Sequence, residues 1–328
     1  MKLSVEISTF NRKDVLRMVL ERLARQTYPH DRFEVVISDD GSTDGTDTVV
    51  EAMKNSMPYD IRFFEHPHCG CGGTHNIGIQ KAKGDIVLML ADDILPKPQL
   101  IEEHMRTHEE NPDNSVVVMG RLKQSAELPD TVFQNNWNSI LNRRFPNSTI
   151  KHYDYTNFWV SNMSFKKDFM LKNGMFREWP AGSHEDLELG YRLQQKGMKL
   201  IFNPNALGYH NDSETIESVS SRTHMFGYNW HLFEEQVPTL WARKRSGHIK
   251  PSDGLGLYLK CLVKNWFQWI FFNRVTIFSV CIPLIIKAEV MPSLAFLVPF
   301  LTGRVASYHF HKGLADYKKD INENRTTG

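Results

Sequence analysis

Apolar runs and polar turns alternate with a regular spacing along the first two hundred residues. Leu3 to Ser8 has the alternation of a strand, and Lys13 to Arg25 carries Val15, Leu16, Val19, Leu20 and Leu23 on one helix face. Phe33 to Ser38 (FEVVIS) and Ile86 to Leu90 (IVLML) are short, continuous and β-branched, the pattern of strands buried on both faces. Ile61 to Glu65 adds a strand, and Thr74 to Lys83 a helix leading through Gly84 into Ile86. Four strands alternating with helices predict an α/β fold: a doubly wound, mostly parallel, Rossmann-like sheet. Right-handed crossovers then bring the strand ends, with Asp39, Asp40, Asp92 and Asp93, to one edge.

Beyond this, Pro98 to Glu109 reads as a helix, Ser115 to Arg121 as a strand, and Thr131 to Arg144 as a helix with Trp137 and Leu141 inward. Phe158 to Phe165 reads as a strand, and Asp168 to Lys172 as a helical turn stopped at Asn173-Gly174. Within Gly182 to Pro204, Leu187, Leu189 and Leu193 form a helix face, Gly197 ends it, and Lys199 to Asn203 is a short strand. Asp212 to Arg222 has few apolar residues and no period, so a mobile loop is expected there. The predicted organisation is a catalytic domain over 1–211, a loop and basic linker over 212–254, and an apolar helical C-terminal extension over 255–328.

Composition changes this picture little. The chain has 328 residues, 41% of them hydrophobic and 23% charged, with a net charge of +1, which gives no reason to expect nucleic acid as a partner. The N-terminus enters a strand pattern without an apolar stretch of signal-peptide length, so a cytoplasmic start is expected. Four cysteines, two of them in Cys69-Gly70-Cys71, do not make a secreted disulfide framework, and Asn147-Ser148-Thr149 carries no weight as a glycan acceptor.

Candidate chemistry sits at the strand ends. Two buried strands finish in paired acids, Asp39-Asp40 and Asp92-Asp93, where open α/β sheets place their ligands. The bland alternative is that these acids only open turns. His66, His68, Cys69, Cys71 and His75 are too crowded for the usual zinc pattern, and Gly70, Gly72 and Gly73 fail as a dinucleotide fingerprint. A pliable glycine loop over a nucleotide is the better expectation for them.

In order, these segments resemble a family-2 glycosyltransferase with the GT-A fold, over roughly Met1 to His210, of the kind that builds bacterial polysaccharides and cell envelopes. Ser8-Thr9-Phe10-Asn11-Arg12 matches the family's "P-T-Y-N-R" turn, and Asp39 to Thr46 its "D-D-G-S-T-D-G-T" segment. Thr74-His75-Asn76-Ile77-Gly78 continues to Ala82, Gly84 and Asp85, as in "A-R-N-x-G-x-x-x-A-x-G-D". Ala91-Asp92-Asp93 stands for the metal-binding "D-x-D", and Glu185-Asp186 for the acids that open the catalytic helix. Two departures are Ala91 in place of the first acid and His75 in place of arginine.

The resemblance implies an inverting, metal-dependent transfer from a nucleotide-sugar donor, most plausibly UDP-linked, to a hydroxyl of a glycan or lipid-linked acceptor. Asp93 and His210 would hold Mn²⁺ or Mg²⁺, and Asp92 would reach the ribose. Thr9, Asn11, Asp39, Asp40, His75 and Asn76 would line the nucleotide pocket. Asp186, with Glu185 beside it, would take the acceptor's proton. The alternatives are a polyprenyl-phosphate sugar synthase, whose acceptor needs no base, and a catalytically silent scaffold that binds nucleotide.

In the C-terminal third, Trp266 to Ile286 has 21 residues with one charge, Arg274, and Val290 to Leu301 is a 12-residue apolar run. Basic residues flank both ends, so the simplest expectation is an apolar part that dips into or lies along the inner face of a membrane, with Trp266 and Trp269 at the interface. Buried helices covering the catalytic domain, or a homodimer contact, are the other readings of the same residues.

Overall fold

The computed structural model describes residues 2–144, 153–177, 179 and 183–326, which leaves Asn147-Ser148-Thr149 outside. The chain divides into two compact units, Met1–Leu128 with Asn138–Asp212, and Pro129–Trp137 with Ser213–Gly328.

The first unit is built on eight strands, β1 (Leu3–Thr9), β2 (Phe33–Asp39), β3 (Asp60–Glu65), β4 (Ile86–Leu90), β5 (Ile94–Pro96), β6 (Val116–Gln124), β7 (Asn162–Lys166) and β8 (Lys199–His210). They form one sheet in the order β3-β2-β1-β4-β7-β6-β8-β5. The four N-terminal strands are mutually parallel. They are joined through α1 (Lys13–Leu23), α2 (Thr46–Lys54) and α3 (Gly70–Lys81), as crossover geometry requires. β7 then runs antiparallel to both β4 and β6, β6 and β8 are parallel, and β5 is antiparallel to β8. The sheet is therefore mixed, its parallel majority lying in the first half.

Every residue of β2 and β4 is buried, as their unbroken apolar runs require. Three expectations change. The glycine stretch is no loop, because Gly70, Cys71, Gly72 and Gly73 form the first turn of α3. The strand expected from Phe158 begins at Asn162. β8 runs on to His210, taking Pro204 into a bulge where the register moves from Gly120↔Asn203 to Arg121↔Leu207. Proline has no N–H for the ladder, so the chain bulges there and then pairs again.

Helix α4 (Leu100–Glu110) packs beneath this half of the sheet through a buried polar chain. His108 Nε2 donates to Ser164 Oγ at 2.9 Å, Ser164 bonds His104 Nδ1 at 2.8 Å, and His104 Nε2 donates to Asn162 Oδ1 at 2.9 Å. The Asn162 amide completes the chain on the Ala206 carbonyl at 2.9 Å. Every bond is made by neutral imidazoles, and burial depresses the pKa of His104 to about 4 and of His108 to about 3. The remaining helices near the sheet are α5 (Val132–Arg144), whose Leu141 is buried as expected, α6 (Lys167–Lys172) and α7 (Glu185–Gln195).

The second unit is helical, with α8 (Ile216–Tyr228), α9 (Trp230–Gln236), α10 (Leu240–Ser246), α11 (Leu255–Phe271), α12 (Arg274–Thr276), α13 (Ile282–Ala288) and α14 (Val298–Thr326). The expected mobile loop is thus the start of α8, opened by a capping box between Thr215 and Ser218. Its weak apolar period has a cause. α8 lies against α14 through glycines, and a Cβ at Gly227 would stand 1.9 Å from the Phe310 carbonyl oxygen, one at Gly313 2.0 Å from that of His224. Phe133, Ile216, Val219, Ile277, Ile285 and Val305 belong to this unit's core. No described helix is long and apolar enough to cross a membrane, because the run from Trp266 is broken after Phe271. The Trp269 side chain lies outside the described residues.

Candidate active site

The C-terminal ends of β1, β2 and β4 carry the site. β1 delivers Thr9 and then turns through Asn11, whose φ of 53° is left-handed. That conformation is open to asparagine at small cost. Asn11 Oδ1 accepts from the Thr43 N–H at 2.7 Å, and its own N–H donates to Ser42 Oγ at 2.8 Å. Asp39 accepts from the Ser42 N–H at 3.1 Å and its hydroxyl at 2.5 Å. Asn11 and Asp39 thus lock the first two strand ends together.

Asp40 caps α3, accepting from the N–H groups of Cys69 at 2.7 Å and Gly70 at 3.1 Å, with His68 Nδ1 at 2.8 Å. His66, Cys69 and Asp40 bring ligand atoms within 4.8 Å of one another, but both Asp40 oxygens already serve the helix. Cys71 is turned away from this group, toward His75 and Glu185.

Asp92 and Asp93 follow β4 as the sequence suggests, and both are buried. Thr9 Oγ1 donates to Asp92 at 2.8 Å, and Arg12 Nη1 bridges Asp92 at 2.9 Å and Asp93 at 2.8 Å. Burial raises the Asp92 pKa to about 6, the Asp93 charge adding to the rise while Arg12 and Thr9 oppose it. Burial works against the Arg12 charge, yet Asp92, Asp93 and Asp212 together hold its pKa above the ordinary arginine value.

The register Ile94↔His210 between β5 and β8 places His210 beside Asp93, with Nε2 3.7 Å from the carboxylate. Asp93, His210 and Asp212 bring one ligand atom each within 4.8 Å. Two carboxylates and an imidazole suit Mn²⁺ or Mg²⁺, and the set fits the ion that the sequence implies. Asp212 was missed from sequence. No local pattern marked it, because β8 ends at His210 and this acid falls in the chain beyond it.

A second buried network joins β1 to α3. His75 Nδ1 contacts Glu6 at 2.9 Å, and the ring stacks on Phe176 with centroids 5.4 Å apart. Burial disfavours a charged ring, but Glu6 first and Cys71 second hold the His75 pKa well above its usual value. Glu6 was another residue missed, a lone acid in an apolar strand pattern. Asn76 is taken by structure, its amide donating to the Phe176 carbonyl at 2.8 Å and accepting from the Phe176 N–H at 3.0 Å.

Glu185 and Asp186 open α7, whose N-cap His184 has a φ of 66°. Burial raises the Glu185 pKa, and its Oε2 is buried without a partner. Asp186 is half-buried, in the first turn of a helix, where the dipole favours an ionised carboxylate.

A sheet of this order with acids at its parallel strand ends defines a GT-A fold, and solved structures agree. The mannosyltransferase PcManGT of Pyrobaculum calidifontis, in complex with GDP-Man and Mn²⁺, is 18% identical with a TM-score of 0.65, over 97% of this chain and 87% of that one. Staphylococcus aureus TarS residues 1–349, in complex with UDP-GlcNAc, is 17% identical with a TM-score of 0.56, over 98% and 92%.

The family description "Glycosyl transferase family 2" matches residues 4–169, and "Glycosyl transferase family group 2" residues 114–306. The chain belongs to glycosyl transferase family 2. Relatives include the chondroitin synthase of Pasteurella multocida, 27% identical over 78% of this chain and 30% of that protein. Another is the validoxylamine A glucosyltransferase of Streptomyces hygroscopicus subsp. limoneus, 29% identical over 68% and 52%. The chain thus spans 30% of the length of the first of these relatives and 52% of the second.

Proposed function

We propose that this chain transfers a sugar from a nucleoside-diphosphate donor, UDP-linked, to a hydroxyl of a glycan or lipid-linked acceptor, with inversion. The observation that carries the reading is the convergence of Asp93, His210 and Asp212, one ligand atom each, where β4 and β8 end. The complexes of related folds with GDP-Man, Mn²⁺ and UDP-GlcNAc support it.

In this reading Asp93, His210 and Asp212 hold a Mn²⁺ or Mg²⁺ ion, which when bound supplies positive charge to the donor diphosphate. Thr9 and Arg12 orient Asp92 toward the ribose, and the loop locked by Asn11 and Asp39 lines the base pocket. Asp186 accepts the proton of the acceptor hydroxyl as its oxygen bonds the anomeric carbon and the bond to the diphosphate breaks. Asp186 stands in the first turn of α7, whereas burial favours the neutral form of Glu185. One displacement without an enzyme nucleophile inverts the anomeric centre. Peripheral attachment at the inner face of a membrane belongs to the same reading, since it would bring the enzyme to lipid-linked acceptors.

The test is donor hydrolysis across a panel of nucleotide sugars with Mn²⁺. Asp93→Ala and Asp186→Asn are each expected to lower turnover by about 10²–10⁴-fold with circular dichroism unchanged. Full turnover in Asp186→Asn would move the base elsewhere, and full turnover in both would leave a site that does not use these acids.

A further inference from the structure

We propose that the second unit carries an anionic-lipid docking face in which Arg274, His311 and Lys312 receive a lipid phosphate. This rests on the membrane attachment proposed above and names the residues that make it.

Leu255, Leu259, Leu262, Val263, Trp266 and Phe271 recur at helical spacing along α11, and all are exposed, Leu255 at 65% and Trp266 at 64%. Val275, Val290, Phe296 and Phe300 extend the apolar surface beyond the helix, with Val290 80% exposed. A folded monomer rarely leaves so large an apolar area in water without a partner. The shape is that of a helix lying in an interface plane rather than crossing it.

Charge selects the partner. From Arg243 to Lys312 the chain has ten Lys and Arg against two acids, Asp253 and Glu289. Asp253 pairs with Arg243, and Glu289 accepts from the N–H groups of Val132 and Phe133, both at 2.8 Å. Among the described residues Lys260, Lys264, Arg274, Lys287 and Lys312 are left without a carboxylate partner. Two copies meeting through this face would set like charges against each other, because an isologous contact repeats the same patch. A negatively charged lipid surface satisfies both the apolar and the basic residues.

Within the face, a cavity of about 550 Å³ is lined by Asn265, Phe272, Arg274, Tyr308, His311 and Lys312. Aromatic rings form its body and two cations stand at its wall, a combination suited to a phosphate attached to an acyl chain. Arg304 packs against the rings of Phe272 and Phe300, at 4.9 and 4.8 Å, a further cation beside one of the rings that line the cavity.

The experiment is co-sedimentation of the full chain with vesicles of phosphatidylcholine alone or mixed with phosphatidylglycerol. Pelleting is expected only with the anionic vesicles. Arg274→Glu with Lys312→Glu should weaken it roughly tenfold or more, and Leu262→Ser with Trp266→Ser, both exposed positions, should abolish it. Excess inorganic phosphate should not release the protein; release would mean a free-anion site and overturn the proposal. Anionic pelleting unchanged by the charge reversal would overturn the phosphate site yet keep attachment. No pelleting, with self-association lost in Leu262→Ser/Trp266→Ser, would make the face a contact between copies and overturn both. Donor hydrolysis measured on the same variants reports the transfer reaction separately and is expected to be unchanged.

Discussion

Arg12 contacts Asp92 and Asp93 directly and reaches Asp212 at 3.0 Å, so a single side chain balances the acids on which the proposed cation depends. Arg12→Met leaves those carboxylates facing one another. It should lower the unfolding free energy by roughly 1–3 kcal/mol, less than for a fully buried pair because Arg12 is a third exposed. Saturating Mn²⁺ should recover part of that loss, which urea denaturation with and without the ion would read. Equal denaturation under both conditions would count against a cation at these acids.

Glu6 and His75 form the other charged pair, and both are buried. Glu6→Gln should cost about 1–3 kcal/mol, since it removes the carboxylate that chiefly holds the buried ring protonated. The His75 pKa is raised in the fold, so its contribution is complete below the unfolded histidine pKa and fades as pH rises through the folded one. The gap between wild type and Glu6→Gln should therefore narrow in alkaline denaturation curves. Asp92 and Asp93 were legible because a buried strand that stops in two acids is an unusual local pattern. Glu6 and Asp212 were not, because a single acid has meaning only beside its partner, and those partners lie 69 and 119 residues away.

At the scale of elements, α4 shows a histidine pair that a local reading would misjudge. His104 and His108 share a helix face, yet they join α4 to β7 as neutral hydrogen-bonding groups. Their depressed pKa values make the contribution complete above the unfolded value near 6.5, lost progressively as pH falls toward about 4 and 3. Thermal unfolding between pH 7 and 4 should show a steep fall, of about 3 kcal/mol for His104 alone, and His104→Gln should flatten the slope. Most helices and strands were readable from periodicity, including the stop at Gly197, whose φ is 85°. Among those that were not, two have a clear physical reason. α8 buries one glycine, Gly227, and only Ile216 and Val219 besides, so it lacks an amphipathic signature. β5 has only three residues, too short for any period, yet its pairing with β8 sets His210 beside Asp93.

Across the whole molecule, the acids proposed for catalysis belong to the first unit and the exposed apolar, basic face to the second. The two activities should therefore separate. Chelating divalent ions should abolish donor hydrolysis while leaving sedimentation with anionic vesicles intact, and charge reversal at Arg274 and Lys312 should do the opposite. Loss of both together would mean that docking and catalysis share a site. The parallel run of the first four strands, with their ends along one edge, was implied by alternating elements and right-handed crossovers. Reversal of β7 and the return of β8 beside β6 were not, because pairing direction between distant segments has no local signature.

By itself the sequence determined the buried parallel strands, the acids at their ends and the apolar C-terminal third, since apolar burial and turn chemistry act over a few residues. Tertiary structure alone decided that His210 and Asp212 join Asp93, that Asp40 and Asn76 are bound up in holding the backbone, and that Glu6 answers His75. Those outcomes depend on strand register and on which unpaired groups meet once water is excluded, and both are settled only by packing across the whole chain.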